Sequence, residues 1–330
     1  MTLALPPVVG TLLRCPACGG ALAAEPEALL CQACDASFPE HEGLARLRPP
    51  ASNSPFTTRM RAFYEGTPFP GYEGLESPGT LRARARANPF TRWLDEQIPF
   101  GATVLEAGCG TGQLVNLLAL AHRTVVGADL SLASLGLAEA FRRRHDLARA
   151  GFLQMDLFHP CFAPASFDLV ISTGVLHHTA DPRGGLLALA PLVKPGGYLI
   201  IGLYHRFGRL GTHLRRALFR LGAPRRLDPR YAALDSSRAA TWYRDQYENP
   251  HETSHTIARL RAWMEAAGLT WVRSLPGPHP FAPTGGDEAL FLPEAPASPL
   301  ERALAEASLA LSGSQEGGFF VGIARRARDR

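Results

Sequence analysis

The sequence holds 330 residues, of which 46% are hydrophobic and 19% are charged, and its formal net charge is +4 at pH 7. This length allows one large domain or two smaller ones, and the low net charge excludes a chain that is polycationic throughout. No apolar run approaches the roughly 20 residues of a membrane-spanning helix, and Met1–Pro6 has neither the basic start nor the apolar core of a signal peptide. We expect a cytoplasmic protein without an integral membrane segment.

Four of the six cysteines form two C-x-x-C pairs near the N-terminus, namely Cys15 with Cys18 and Cys31 with Cys34. In a cytoplasmic protein such pairs indicate a metal site, the alternative being unrelated core cysteines or redox pairs. Each pair makes a tight knuckle, and two knuckles joined by a short hairpin complete a tetrahedral zinc site. Because four thiolates leave no open coordination position, we expect structural zinc in a small domain over residues 1–48.

Residues 49–100 are predicted to be a linker followed by a mostly helical lid region. The linker is the Pro- and Ser-rich run 49–55, and the helical pattern begins near Arg59. It is interrupted by Thr67–Tyr72, a loop rich in proline and aromatic residues. That loop is either a lid over a site or a packed connector.

Beyond Gly101 short apolar strands alternate with helical stretches, which predicts an α/β domain with a parallel sheet over residues 101–330. A helix is expected over 256–267. The expected strands are 103–106, 124–129, 151–156, 167–172, 197–204, 269–274 and 318–324.

The first of these strands runs into the loop Glu106-Ala107-Gly108-Cys109-Gly110-Thr111-Gly112. Glycines at such a turn let the backbone approach a ligand at a helix N-terminus, as in dinucleotide enzymes. Glu106 decides between ligands, because a carboxylate repels a pyrophosphate and attracts the ammonium group of a methionine moiety. S-adenosylmethionine has an ammonium and a sulfonium and no phosphate, so it is the expected ligand.

Further acids follow the next two strands. Asp129 comes about twenty residues after the glycine loop, where an acid accepts both ribose hydroxyls, and Asp156 is placed to accept from the adenine amino group. Leu130, Met155 and Leu157 are expected to sandwich the adenine ring. All three acids fall at carboxyl ends of strands, the edge at which α/β sheets bind ligands.

At this point the sequence resembles the class I S-adenosylmethionine-dependent methyltransferases. The resemblance rests on three segments, 104–112, 167–178 and 192–199, in family order. It implies a Rossmann-like, seven-stranded, mostly parallel sheet whose last strand is antiparallel. It also implies the cofactor roles above for Glu106, Asp129 and the glycine loop, with backbone near Ser172 and Thr173 facing the methionine part. An NAD-linked oxidoreductase is the alternative.

The N-terminal segment, which continues from the cysteines to Leu44, has a resemblance of its own. It resembles the small zinc-ribbon proteins that partner methyltransferases and the ribbons fused to some bacterial rRNA methyltransferases. The resemblance implies a role in docking or packing.

Candidates for a general base lie after the fourth and fifth strands. His177 and His178 follow the fourth strand, and Tyr204 and His205 follow the fifth. A base is needed only where the methyl acceptor carries a proton. For each candidate the alternative is a packed loop residue.

An insertion over about 205–255 separates the fifth strand from the next predicted helix. Its first half is amphipathic at helical spacing, with leucines on one face and arginines on the other. This pattern indicates a lid helix with a solvated basic face, or a surface for an anionic acceptor, RNA or a membrane. Its second half is rich in aromatic and titratable residues, among which we select Tyr247, His251 and His255 as acceptor-side candidates.

We therefore expect methyl transfer from S-adenosylmethionine to a small or lipid-like metabolite. One alternative is an rRNA or tRNA methyltransferase that docks through the ribbon and arginine patches. Another is a non-catalytic adaptor that binds S-adenosylmethionine.

Overall fold

The computed structural model describes residues 4–234, 236–280, 287–312 and 318–328, without the side chains of 236–238 and 312. Residues 1–3, which begin the segment considered above as a signal peptide, lie outside the described residues. Eleven strands in these ranges form one sheet in the order β1-β2-β3-β4-β7-β6-β5-β8-β9-β11-β10. They are β1 Leu22–Ala24, β2 Ala28–Cys31, β3 Ser37–His41, β4 Leu44–Leu47, β5 Thr103–Ala107, β6 Thr124–Asp129, β7 Ala150–Met155, β8 Phe167–Thr173, β9 Val193–Tyr204, β10 Leu269–Leu275 and β11 Phe319–Arg326.

The expected α/β sheet is present, but the predicted count of seven strands is too small. Strands β5 to β11 match the seven expected strands, and β9 begins four residues before the predicted residue 197. Strands β4 to β9 pair in parallel across the centre, and β11 is antiparallel to both β9 and β10. The four additional strands come from the N-terminal cysteine-containing segment.

This N-terminal segment extends the sheet directly. Strand β4 pairs in parallel with β7, with Ala45 opposite Leu153 and Leu47 opposite Met155. Phe38 and Leu47 are buried in the same apolar core as Leu153. The sequence does not reveal this continuity, because a short strand after two C-x-x-C pairs carries no sign of its partner.

Twelve α-helices lie in the described ranges, and several begin with proline just after a capping side chain, as at Ser54, Ser77 and Asn88. No helix in these ranges has the length and apolar character required to cross a membrane. The helices are α1 Pro7–Leu12, α2 Pro55–Glu65, α3 Pro78–Arg86, α4 Pro89–Gln97, α5 Gln113–Ala119, α6 Leu132–Arg144, α7 Pro182–Leu189, α8 Leu210–Arg220, α9 Pro229–Ala233, α10 Ser236–Tyr243, α11 Ile257–Ala266 and α12 Pro299–Ser312.

Helix α8 reverses one expectation. It is amphipathic as predicted, but Leu210 and Leu214 on its apolar face are exposed. On the other face Arg215 and Arg216 turn inward and pair with acids of the insertion. The prediction of a packed lid helix with a solvated basic face is therefore wrong for most of this helix. The cause is that Asp228 and Glu252, both buried, draw the arginines inward.

Candidate active site

A cavity of about 310 Å³ opens at the carboxyl ends of the central parallel strands. Five of the six parallel strands, all except β4, contribute a residue at or next to the last position, where α/β folds bind ligands. These residues are Glu106 of β5, Asp129 of β6, Met155 of β7, Thr173 of β8 and Tyr204 of β9.

The glycine loop after β5 forms one wall of the cavity. Gly108 and Gly110 both have positive φ, +80° and +52°, and both line the cavity. A Cβ atom on Gly110 would lie 2.5 Å from the carbonyl oxygen of Phe69, so only glycine fits there. Gly112 does not line the cavity; it precedes α5 and packs against Phe152.

Glu106 presents an unsatisfied carboxylate oxygen at the base of the cavity. Its Oε2 is buried and has no hydrogen-bond partner among the described residues. Burial, with a smaller contribution from nearby Asp129, raises the pKa of Glu106 to about 8. A buried acid without a counter-ion is destabilised when ionised, so this position favours a cationic ligand.

Asp129 is held by backbone donors and still faces the cavity. Gly110 N–H donates to its Oδ2 at 2.8 Å, and Ser131 N–H donates to its Oδ1 at 2.9 Å. Burial is the main cause that raises the pKa of Asp129 above its usual value. Two oxygens with further lone pairs, fixed in orientation, can accept a pair of adjacent hydroxyl groups.

The other residues predicted for the cofactor divide into two groups. Leu130, Met155 and Leu157 line the cavity as apolar surfaces, and so does Thr173. Asp156 and Ser172 do not. The carboxylate of Asp156 accepts from Phe158 N–H at 3.0 Å, and the Ser172 hydroxyl donates to the Ala107 carbonyl at 2.9 Å.

Helix α2, within the region 49–100 predicted to hold a helical lid, closes one side of the cavity, although none of its residues was predicted as a site residue. Its residues Met60, Arg61 and Tyr64 line the cavity. Its last residue, Glu65, accepts hydrogen bonds from Leu132 N–H and Ala133 N–H at the N-terminus of α6, both at 2.9 Å. A carboxylate at a helix N-terminus is stabilised by the helix dipole, so this contact fixes α2 beside Asp129.

The Pro- and aromatic-rich loop 67–72 lies over the glycine loop. Phe69 and Pro70 line the cavity. Gln113 Nε2 donates to the Gly71 carbonyl at 2.7 Å, and Tyr72 OH donates to the Thr111 carbonyl at 2.8 Å. The loop therefore lines the cavity and is also packed on the glycine loop, which fits either interpretation of it.

A polar wall with residues from the turn after β8, from β9 and from the insertion lines the same cavity as Glu106 and Asp129. It is made by His178, Tyr204, Asp245 and Gln246, all buried. Asp245 and Gln246 lie in a π-helical turn, Arg244–Glu248, a geometry that is common at functional sites. The cluster of aromatic and titratable residues in the sequence indicates that this segment lines a site. It does not indicate that Asp245 and Gln246 are the residues that reach the cavity.

The tautomer of His178 follows from its partner. Its Nδ1 lies 2.7 Å from the backbone carbonyl oxygen of His251, which can only accept, so Nδ1 carries the proton. The lone pair is then on Nε2, as a general base requires. Burial lowers the pKa of His178, which keeps the ring neutral.

Asp245 belongs to a network that extends to α8. Its Oδ2 accepts from Gln246 Nε2 at 3.0 Å, and the same amide donates to the Tyr204 hydroxyl at 2.7 Å. The guanidinium of Arg209 donates to Gln246 Oε1 at 2.8 Å and to Glu252 Oε1 at 3.0 Å. Burial is the main cause that raises the pKa of Asp245.

The remaining acceptor-side candidates do not line this cavity. His177 is fully buried with its ring centroid 4.0 Å from that of Tyr204, and Tyr247 OH donates to Asp228 Oδ2 at 2.5 Å. The His251 ring contacts Phe56. His255 lines a separate cavity of about 230 Å³ with Arg206 and Arg259.

The four N-terminal cysteines converge as predicted. Their sulfur atoms lie within 4.8 Å of one another, with 3.7 Å between Cys15 and Cys34 and 3.4 Å between Cys18 and Cys31. Four thiolates at zinc–sulfur bond length span edges of about 3.8 Å, so the cluster has room for one metal ion. A Cβ on Gly20 would lie 2.8 Å from the Cβ of Ala33, which explains glycine beside the knuckle.

The central region is similar to known proteins. Residues 105–201 match the family model described as a methyltransferase domain. A Synechococcus sp. protein, syc1184_c, is 32% identical over 198 residues, which is 51% of this chain and 47% of that protein. A ubiquinone biosynthesis O-methyltransferase of Thiobacillus denitrificans is 34% identical over 125 residues, 36% of this chain and 52% of that enzyme.

A solved structure of low sequence identity is also similar to this chain. The phosphoethanolamine N-methyltransferase 2 of Haemonchus contortus, solved in complex with S-adenosyl-L-methionine, is 15% identical with a TM-score of 0.48, covering 82% of this chain and 60% of that one. The chain spans about half the length of the curated relatives named above.

Proposed function

We propose that the protein transfers a methyl group from S-adenosylmethionine to a protonated oxygen or nitrogen of a small or lipid-like acceptor. The observation that carries this proposal is the buried Oε2 of Glu106, which has no partner among the described residues, in a cavity that Asp129 and the glycine loop also line. The match of residues 105–201 to a methyltransferase domain supports it.

The residues of the cavity complement each part of S-adenosylmethionine. Glu106 is placed to pair with the ammonium group, and Asp129 with the ribose hydroxyls. Leu130, Met155 and Leu157 supply apolar surface for the adenine ring. Asp156 acts on the adenine side through its hydrogen bond to the Phe158 backbone rather than as a wall of the cavity.

When bound, S-adenosylmethionine supplies an electrophilic methyl group on a positively charged sulfur that leaves as a neutral thioether. The residues of the polar wall then hold the acceptor and remove its proton. His178 Nε2 takes the proton, while Tyr64 and Asp245 position the acceptor through hydrogen bonds. In-line displacement depends mainly on positioning, which a rigid buried network provides.

An oxygen acceptor is the best supported class. Relatives with about 34% identity are named ubiquinone biosynthesis O-methyltransferases. A neutral histidine beside a buried carboxylate is suited to deprotonating a hydroxyl as it attacks. His178 and Asp245 form that pair here.

Labelled methyl transfer tests this function. The purified protein is incubated with S-adenosylmethionine labelled in its methyl group and with fractions of a cell extract. We expect the label to appear in a small-molecule or lipid fraction and S-adenosylmethionine to bind in a calorimeter. Binding without transfer to any fraction would instead identify an adaptor, and absence of binding would overturn the cofactor site.

We also propose that Cys15, Cys18, Cys31 and Cys34 hold one structural zinc ion, which stabilises the small strands β1 to β3. Elemental analysis should find one zinc per chain, and Cys18→Ser should lose it. Because Cys109 and Cys161 are buried away from the cluster, Cys161→Ser is the matched control and should retain the metal. A metal-free chain with unchanged thermal unfolding would contradict a structural role.

A further inference from the structure

The outward face of helix α8 is apolar. Leu210, Leu214 and Leu218 on this helix are 51%, 64% and 37% exposed, and Leu221, which follows its last residue, is 84% exposed. Steps of four, four and three residues place all four on a single stripe. An exposed apolar stripe of this length is unusual on a helix that packs against its own domain.

The inward face holds this orientation in place. Arg209 is fully buried, with its guanidinium 3.8 Å from the centroid of the Tyr204 ring and hydrogen-bonded to Glu252. Arg216 donates to the Gln246 carbonyl at 2.8 Å. Turning the leucines inward would leave these buried charges without partners, which costs more than burying leucines returns.

The unpaired charge beside the apolar stripe is positive. Residues 206–227 contain seven arginines and no aspartate or glutamate, but the arginines at positions 209, 215, 216 and 225 pair with Asp228, Glu248 or Glu252. Arg220 and Arg226 are exposed and make no ion pair within the described part of the chain. Leu227, half exposed, lies beside them. A positive rim around an aliphatic stripe complements a negatively charged surface with an apolar interior.

We propose that helix α8 docks on the surface of an anionic lipid bilayer. The leucines enter the boundary between headgroups and acyl chains, and Arg220 and Arg226 contact lipid phosphates. Amphipathic helices of modest overall hydrophobicity with a basic polar side bind membranes in this way.

The charge and the side-chain types of this surface disfavour RNA and a second copy of the chain as its partner. Single-stranded RNA is bound by basic residues interleaved with aromatic stacking platforms, whereas this stripe is aliphatic. A second copy joined by a two-fold axis through α8 would bring the same arginine-rich rim against itself. The bilayer satisfies the leucines and the arginines together.

The docked helix is connected to the cavity. Tyr204, at the end of β9, lines the cavity, and Gln246 bridges it to Arg209 just before α8. Docking therefore places the cavity near the lipid surface, from which a lipid-soluble acceptor would reach it. That consequence rests on the proposed methyl transfer, but the docking itself does not.

Vesicle co-sedimentation tests the docking without cofactor or acceptor. The full chain is mixed with vesicles of phosphatidylcholine alone or with phosphatidylglycerol added. We expect binding to the anionic vesicles that weakens with salt. The double variant Leu214→Glu with Leu221→Glu should have an affinity for the vesicles that is lower by about tenfold or more, because two apolar side chains no longer enter the lipid. Leu292→Glu is the matched control, since Leu292 is also 64% exposed, and it should bind as the wild type does.

A charge test separates the arginines from general basicity. Arg220→Glu with Arg226→Glu should abolish the preference for anionic vesicles, whereas Arg144→Glu, at an exposed position on α6, should leave most of it. Equal loss in Leu292→Glu, or no binding by the wild type, would overturn the proposal. So would a mass in light scattering that halves in the leucine variant, which would identify a second copy as the occupant, or tighter binding to RNA than to vesicles. Because none of these measurements uses methyl transfer, their outcome is independent of the cofactor site.

Discussion

The carboxyl ends of strands β5 to β9, where we propose that the cofactor binds, form one edge of the sheet, which we call the cofactor edge. This edge and the insertion differ in where their charged and apolar groups lie. At the cofactor edge, Glu106 and Asp129 are carried by buried strands and face an open cavity. In the insertion, Arg209 and Glu252 are buried against each other while the leucines of α8 face outward. Glu106 and Asp129 are therefore open to a ligand, whereas Arg209 and Glu252 are committed to each other. Buried charges serve binding in the first case and the architecture of the insertion in the second.

Removing the carboxylate of Glu252 should produce the largest change in stability. A small change would contradict the view that buried charges hold the insertion in place. In Glu252→Ala the fully buried Arg209 loses its carboxylate, and we expect a loss of about 3–5 kcal/mol in the free energy of unfolding. Urea denaturation measures it. Glu265→Ala, which removes an exposed partner of Arg261, is the control and should cost less than about 1 kcal/mol. Equal effects of the two substitutions would mean that the insertion is not anchored by its charges.

The next test concerns His178, the point at which the two regions meet. His178→Gln should lower methyl transfer to the responsive extract fraction by roughly 10²–10⁴-fold, the usual contribution of a general base. Its affinity for S-adenosylmethionine should stay close to that of the wild type. His255→Gln, in the separate cavity, should leave transfer unchanged.

The pH profile of transfer sharpens the same point. Burial lowers the pKa of His178, so the neutral base persists at pH values where an ordinary histidine is protonated. Transfer should therefore decline only below the ordinary histidine pKa of about 6.5. A decline centred above that value would assign the base to another group.

Glu106→Gln probes the cofactor edge with a smaller effect. Losing the carboxylate should weaken S-adenosylmethionine binding by about 1–3 kcal/mol in a calorimeter. Burial raises the pKa of Glu106 to about 8 in the ligand-free chain, so a cation that favours the ionised form releases a proton on binding. The wild-type affinity should rise as the pH increases from about 6 to 8. In the glutamine variant this rise should be absent, and a persistent rise would point to Asp129 instead.

Sequence reasoning reaches the cofactor edge because the edge is local. Each strand is a short apolar run, and the acid that follows it is placed by strand direction alone, so Glu106 and Asp129 reach the cavity as expected. Asp156 shows the limit of that argument. It also follows a strand, yet its carboxylate turns back to the Phe158 backbone, a choice made by one hydrogen bond that spacing does not encode.

The insertion escapes prediction because its contacts are distant in the chain. Helical spacing identifies both faces of α8, but the partners of Arg209 and Arg216 lie 43 and 36 residues later at Glu252. Asp245 likewise enters the cavity by a π-helical turn that no pattern announces. The pairing of β4 with β7 is a third case, since it joins segments more than one hundred residues apart.

The smallest expected effect decides the orientation of α8 most directly. Leu214→Ala should change the free energy of unfolding by less than about 0.5 kcal/mol, because an exposed side chain loses no buried area. Leu117→Ala on α5, only 1% exposed, should cost about 2–5 kcal/mol by leaving a cavity. If Leu214→Ala costs as much as Leu117→Ala, the leucines pack inward and the arginines face water. A negligible cost means that these leucines do not stabilise the fold, and their contribution is then to be measured at the lipid surface.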